Sequence, residues 1–261
     1  MPVAPAPVLD RRSPPFRRGP VRGSAARLGG ELRDEWLRLT ASPLAQLRRR
    51  GLRAVPLAVG ATLLVAFFHL VQHVPWGAAV THDLGGVRAD QPVWLALLRT
   101  PVSLFVPAPD LPVWGALAQV LIVFGLGELT FGIRRTLFVA YLATLAGTLA
   151  ARGMVALGPD RILGIEPRLA HVFDTGPSAA VVGLVVAIAW ADRAWTLMAV
   201  VWGLMIAEVA WKPNLAGREH LIGMAVVLGY AVASEAWRRG REVRAIVEWT
   251  DRRGVEVKAA R

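Results

Sequence analysis

The 261-residue chain contains no cysteine. That excludes disulfides, thiolate metal sites and a cysteine nucleophile. It leaves the compartment open, because a thiol-free chain is tolerated anywhere. Charge is also scarce: 19% of residues are charged against 54% hydrophobic, and the mean hydropathy is +0.45. A soluble domain is about 45–50% apolar by a similar count. The excess is gathered into blocks that hold almost no charge, several of them near the ~20 residues an α-helix needs to cross a bilayer. Length alone points to one or two soluble domains, but the blocks override it. The chain reads as an all-α, polytopic membrane protein.

What charge there is lies outside the blocks. The net charge is +11. In a soluble protein that would suggest nucleic acid. Here the positive residues cluster at the two ends, which fits membrane orientation and contact with anionic lipid, and nucleic acid is not an expected partner. Residues 1–53 read as a basic N-terminal region. Its first 23 residues, rich in Pro, Arg and Gly, are expected to be disordered. Leu28, Leu32, Trp36 and Leu39 then follow at one-face helical spacing and suggest a helix lying in the interface, with a partly ordered basic tail as the alternative. Residues 54–237 are expected to form the membrane domain, and 238–261 a basic tail. The expected spans are Ala54–Val74, Leu111–Phe131, Thr136–Leu157, Gly176–Ala191, Ala194–Trp211 and Glu219–Trp237, with Trp94–Thr100 as a short surface helix in the first long loop. With six crossings, 23 of the 30 Lys and Arg residues fall on one side. The positive-inside bias then puts both termini in the cytoplasm of a plasma membrane. The fourth block has 16 residues and reaches only about 24 Å at 1.5 Å per residue, short of the ~30 Å hydrocarbon core. It is expected to be buried among longer neighbours, with its outer end below the membrane surface, where non-helical backbone needs a protein-lined cavity.

Two side chains at that depth carry chemistry. Ser178 lies in Asp174-Thr175-Gly176-Pro177-Ser178-Ala179-Ala180, where the fourth block enters from outside. Free backbone N–H groups and the positive end of the helix dipole favour a developing anion there. The same residues also make an ordinary helix start, with a cap residue and a proline in the first turn. His220 lies in the first turn of the sixth block, which also enters from outside. A Ser–His hydrogen bond is the minimum for activating a serine nucleophile, and a neutral imidazole can act as its base. Gly223, three residues on, allows a neighbouring helix to approach closely.

These residues together resemble the rhomboid family of intramembrane serine proteases, over roughly residues 94–230. Gly176-Pro177-Ser178-Ala179-Ala180-Val181-Val182-Gly183 is similar to the family's Gly-x-Ser-Gly segment. His220-Leu221-Ile222-Gly223 is similar to its sixth-helix His and the following Gly. Gly125, Glu128 and Gly132, on one helical face and followed by Tyr141-Leu142, resemble its second-to-third helix segment, and Trp94–Thr100 resembles its first-loop segment. The resemblance implies a six-helix rhomboid-like bundle with a short buried fourth helix. It also implies a Ser178–His220 dyad that needs neither cofactor nor acidic third member, with transmembrane helices of other membrane proteins as substrates. The chain departs from the family where proteases carry an oxyanion-binding His and Asn. Counting back from Glu128 puts those positions at Pro112 and Ala116, neither with a side-chain donor. Gln119, one turn below Ala116 on the same face, is a candidate substitute beside the backbone N–H of Ser178. Ala179 stands where the family has glycine. Glu219 replaces a small residue beside the His and could orient His220 or raise its pKa.

Two functional readings follow, a protease and a rhomboid-like pseudoprotease that binds transmembrane helices without cutting them. A third class, metal binding, rests on His69 and His73 at i, i+4 and on His82, His171 and His220 at the same outer side, with Glu208 a further ionisable group at membrane depth. The six-span count makes a direct prediction. A topology reporter fused after Arg261 scores as cytoplasmic, and an external score overturns the count.

Overall fold

The computed structural model describes residues 22–108, 112–161 and 163–259, so the segment expected to be disordered lies outside it up to residue 21. Among the described residues there are helices and connecting segments but no strand, only an isolated antiparallel bridge between Val87 and Asp174. The helices are α1 (Arg22–Arg50), α2 (Pro56–Gln72), α3 (Gly77–Gly85), α4 (Val93–Ser103), α5 (Val113–Phe131), α6 (Ile133–Leu157), α7 (Ser178–Ala191), α8 (Trp195–Trp211) and α9 (Leu215–Ala259). By length and composition, α5, α6 and the Leu215–Ala245 part of α9 can each cross a membrane. The pair Gly29–Ala54 and Pro56–Gln72, bent by 55°, adds a fourth candidate, and α7 and α8 are shorter apolar helices. The chain is thus an all-helical protein with several helices apolar enough to span a bilayer. The surface helix expected over Trp94–Thr100 is α4. The helix expected to end at Trp237 continues without a break to Ala259.

Prolines and glycines set the boundaries. Pro56 opens α2, where the missing N–H costs nothing. Gly132, at φ 79°, turns the chain between α5 and α6 and donates its N–H to the Glu128 carbonyl at 2.8 Å. Within α5, residues Val120–Phe124 form a π-helical turn directly after Gln119. Such turns re-aim one face of a helix relative to the other.

The core is built around α7. Eight of its 14 residues are buried, among them Ala180, Gly183, Leu184 and Ala187, and no side of it is polar. At 1.5 Å per residue it is only about 21 Å long, and α5, α6, α8 and α9 surround it. By contrast, α8 has no buried residue. Small residues set how closely α6, α7 and α9 meet. A Cβ on Gly183 would lie 2.4 Å from the Ala143 Cβ, and one on Gly223 would lie 2.8 Å from the Ala143 carbonyl oxygen. Two glycines on two helices therefore close on one alanine of a third.

Two helix N-termini are capped by carboxylates from other helices. The Leu57 and Ala58 N–H groups donate to Glu128 at 3.1 and 3.0 Å, and those of Thr196 and Leu197 donate to Glu35 at 3.1 and 2.8 Å. Both glutamates are buried. Each satisfies N–H groups that a helix cannot pair by itself, with charge of the sign its dipole favours. Glu35 also fixes how α1 is rotated. Of the apolar face expected to lie in the interface, Leu32 and Trp36 are exposed, and the buried positions of α1 are Glu35, Leu39 and Pro43. Leu28 lies outside the described side chains. Because the cap is polar, hydropathy spacing could not register it. Gly125 lies on the same side of α5 as Glu128, with Ala58 and Val55 within van der Waals reach of a Cβ added there.

Replacing Gly183 with alanine forces α7 away from α6. The expected loss is about 1–3 kcal/mol, in the range for overpacked cores, read as a lower midpoint of chemical unfolding in detergent. An unchanged midpoint would show that the helices do not meet this closely.

Candidate active site

Ser178 is the first residue of α7, and the chain leading into it is pinned at two points. The Asp174 N–H donates to the Val87 carbonyl at 2.8 Å, and the Gly176 N–H to the Ser103 carbonyl at 3.0 Å. Gly176 makes the turn at φ 118°, a conformation that L side chains rarely adopt. The first helical bond of α7 runs from the Val181 N–H to the Pro177 carbonyl at 2.8 Å. The N–H groups of Ser178, Ala179 and Ala180 come before it and have no intrahelical acceptor. No side chain caps this end.

His220 sits in the second turn of α9 and reaches Ser178 from the side. Its Nε2 lies 2.9 Å from the Ser178 Oγ. With the hydroxyl donating, the imidazole is neutral and carries its proton on Nδ1. That nitrogen is buried and has no hydrogen-bond partner. The closeness of the two side chains follows from the packing below them. Gly183 lies five residues after Ser178 and Gly223 three after His220, and both meet Ala143. Bulk at either contact would push α7 or α9 off α6 and disturb the alignment of the two side chains.

A cavity of about 220 Å³ opens in front of the serine. Ser178 and Gly176 line it on one side, and Pro112, Ala116 and Gln119 of the α5 end line it on the other. The sequence-predicted residues thus divide into groups. Ser178 and His220 meet, and Ser178 and Gln119 share a cavity, with Ala179 following the serine at the helix start. Gly125, Glu128 and Gly132 lie at the far end of α5, where they pack against or cap α2 and turn the chain into α6.

Glu219 differs from expectation. No hydrogen bond joins it to His220; its carboxyl lines a small void with that of Asp174, which accepts from the Thr148 hydroxyl at 3.4 Å. Burial pushes the Asp174 carboxyl above its ordinary range, and its bonds to Glu219 and Thr148 offset this only in part. Neither Asp174 nor Thr148 stood out in the sequence. The available signal was Asp174 four residues before Ser178 and Glu219 next to His220, which brings the two carboxyls together only if the dyad forms. Nearby, burial raises Asp90, but hydrogen bonds from Arg88 and His171 outweigh it and hold the carboxyl below its ordinary range.

The histidines do not gather at one point. The rings of His69 and His73 meet edge to face at 4.5 Å, with the His73 Nδ1 2.8 Å from the His69 carbonyl oxygen, while His82 stacks on Phe173 and His171 pairs with Asp90. Among the described residues, no three His, Cys, Asp or Glu side chains converge as metal ligands would. Glu208 is exposed and accepts from the Asn214 amide at 3.4 Å. No family model, curated protein or solved structure matches the chain.

Replacing Gly176 with valine puts a β-branched side chain at a φ it resists, at a cost of about 1–3 kcal/mol. Expected is a weaker hold on the Ser178 end, seen as faster amide hydrogen exchange at Ala179 and Ala180 with exchange in the middle of α6 unchanged. Equal exchange at all of these sites would exclude a local role for Gly176.

Proposed function

We propose that the chain is a rhomboid-like membrane protein and that Ser178 and His220 form the dyad of an intramembrane serine protease. The observation that carries this reading is the 2.9 Å contact between the Ser178 Oγ and the His220 Nε2, at a helix N-terminus that faces a cavity. In this reading α7 and α8 cross together with the four longer candidates, which makes six crossings, and the basic termini lie on the cytoplasmic side against anionic lipid.

The chemistry is general-base nucleophilic catalysis. The Ser178 Oγ attacks the scissile carbonyl while the His220 Nε2 takes its proton. The carbonyl oxygen becomes an anion facing the Ser178 N–H and the positive end of α7. As the C–N bond breaks, His220 returns the proton to the leaving amine, and Ser178 holds the acyl group until a water, deprotonated by His220, releases it. The substrate class is a transmembrane helix, because the dyad belongs to helices that run through apolar surroundings.

The second reading, a pseudoprotease that binds such helices without cutting them, is favoured by one specific observation. Pro112 and Ala116 line the cavity, and neither offers a side-chain donor to an oxyanion. A missing donor of this kind typically costs about 10²–10³ in rate. The Gln119 amide lines the same cavity and is the candidate replacement.

Labelling by a serine-directed fluorophosphonate separates the two readings. In the first, the wild type is labelled, Ser178→Ala is not, and Gln119→Leu is labelled at least about tenfold more slowly through loss of an oxyanion donor. Equal labelling of wild type and Ser178→Ala removes the enzyme reading.

A further inference from the structure

Glu219 is 3% exposed and adjoins His220 in the chain, yet its Oε1 has no hydrogen-bond partner. Its carboxyl and that of Asp174 line one small void and lie within hydrogen-bonding reach of each other. Two ionised carboxylates are acceptors only and cannot bond to each other, so one of them must carry a proton. The nearby cations are committed elsewhere. Arg88 holds Asp90 through two bonds of 2.9 Å, Arg152 donates to the carbonyls of Arg88, Ala89 and Gln91, and Arg218 donates to the Gly164 carbonyl. His171 is paired with Asp90, and His220 is bonded to Ser178. The void beside the pair, lined by Arg88, Thr148, Ala151, Asp174, Leu215 and Glu219, holds only about 10 Å³. A hydrated cation does not fit there, since even a single water needs about 10–15 Å³.

We infer that Asp174 and Glu219 share one proton and that this carboxyl pair is a proton-dependent clamp positioning the Ser178–His220 dyad. It rests on the dyad reading above. The clamp joins the chain four residues before Ser178 to the residue before His220, so the two reacting side chains are tied together through their own backbones. It is braced on a third helix, since Thr148 of α6 donates to Asp174 and a Cβ on Gly147 would lie 3.1 Å from the Glu219 Cβ. Loss of the shared proton sets two negative charges side by side, with the nearest guanidinium, Arg88, engaged by Asp90. In a poorly solvated site their repulsion is strong, and the segment leading into α7 is driven off α9. Alkaline conditions then separate serine from histidine even though the imidazole stays in its basic form. Asp174 and Glu219 touch no reacting atom and act only through position.

Two measurements on the full chain in detergent test this. Infrared spectroscopy at pH 7 is expected to show the carbonyl stretch of a protonated carboxylic acid in the wild type and its loss in the Asp174→Asn/Glu219→Gln double variant. Fluorophosphonate labelling followed against pH is expected to fall on the alkaline side in the wild type. Glu219→Ala lowers labelling at least tenfold at neutral pH. Glu219→Gln, whose amide donates to Asp174 with no proton to lose, restores it and abolishes the alkaline fall. A band absent from the wild type, a band that survives in the double variant, or identical alkaline profiles in wild type and Glu219→Gln would each overturn the clamp. If Ser178 proves not to be the labelled residue, the dyad reading fails while the infrared result still decides whether the pair shares a proton.

Discussion

Three helices meet at Ala143 with no room to spare. Gly183 of α7 and Gly223 of α9 both close on this residue of α6, and a single added carbon at either glycine would overlap it. In lipid the hydrophobic effect gives little drive for helices to associate, and close backbone packing through small residues takes its place. The consequence reaches beyond stability. Ser178 and His220 have short side chains, and a 2.9 Å contact between them is possible only if the helix axes below them are near each other. The small residues therefore act on the chemistry at a distance of one to one and a half helical turns.

The second recurring device is the buried carboxylate. Glu128 caps α2, Glu35 caps α8, and Glu219 lies within hydrogen-bonding reach of Asp174. Each is an ionisable group in apolar surroundings, where an unpaired charge is costly. Their partners differ in kind. Glu128 and Glu35 each accept from two backbone N–H groups at a helix N-terminus. Glu219 instead faces another carboxyl, that of Asp174. One residue type thus ties helix ends together at one end of the bundle and forms a protonated pair beside the dyad at the other. The cap by Glu35 also explains the loosely held α8. With no buried residue of its own, that helix is positioned at its start by a side chain from α1.

Much of the architecture was legible beforehand. The apolar blocks mark α2 and α5 to α9, and the turn at Gly132 and the short α7 stand out from composition and length. Ser178 and His220 were legible for a different reason. Each lies at the start of an apolar block running in the same direction, and that alone implies similar depth. Similar depth is not contact, and no spacing along the chain encodes which faces of α7 and α9 meet. The same limit applies to Glu219. It is next to His220 in sequence, but consecutive helical residues point about 100° apart, and its carboxyl lines a void with that of Asp174.

By itself, then, the chain determined which segments are helical, which are apolar enough for a membrane, and which hydroxyl and imidazole lie at matching ends. These properties are local, set by composition and by the reach of a helix. Tertiary structure alone decided that Ala143 is the shared contact of two glycines, that Gln119 and Ser178 line one cavity, and that Asp174 and Glu219 form a carboxyl pair. Those pairings depend on helix rotation and separation, which come from side chains far apart in sequence packing until no further approach is possible.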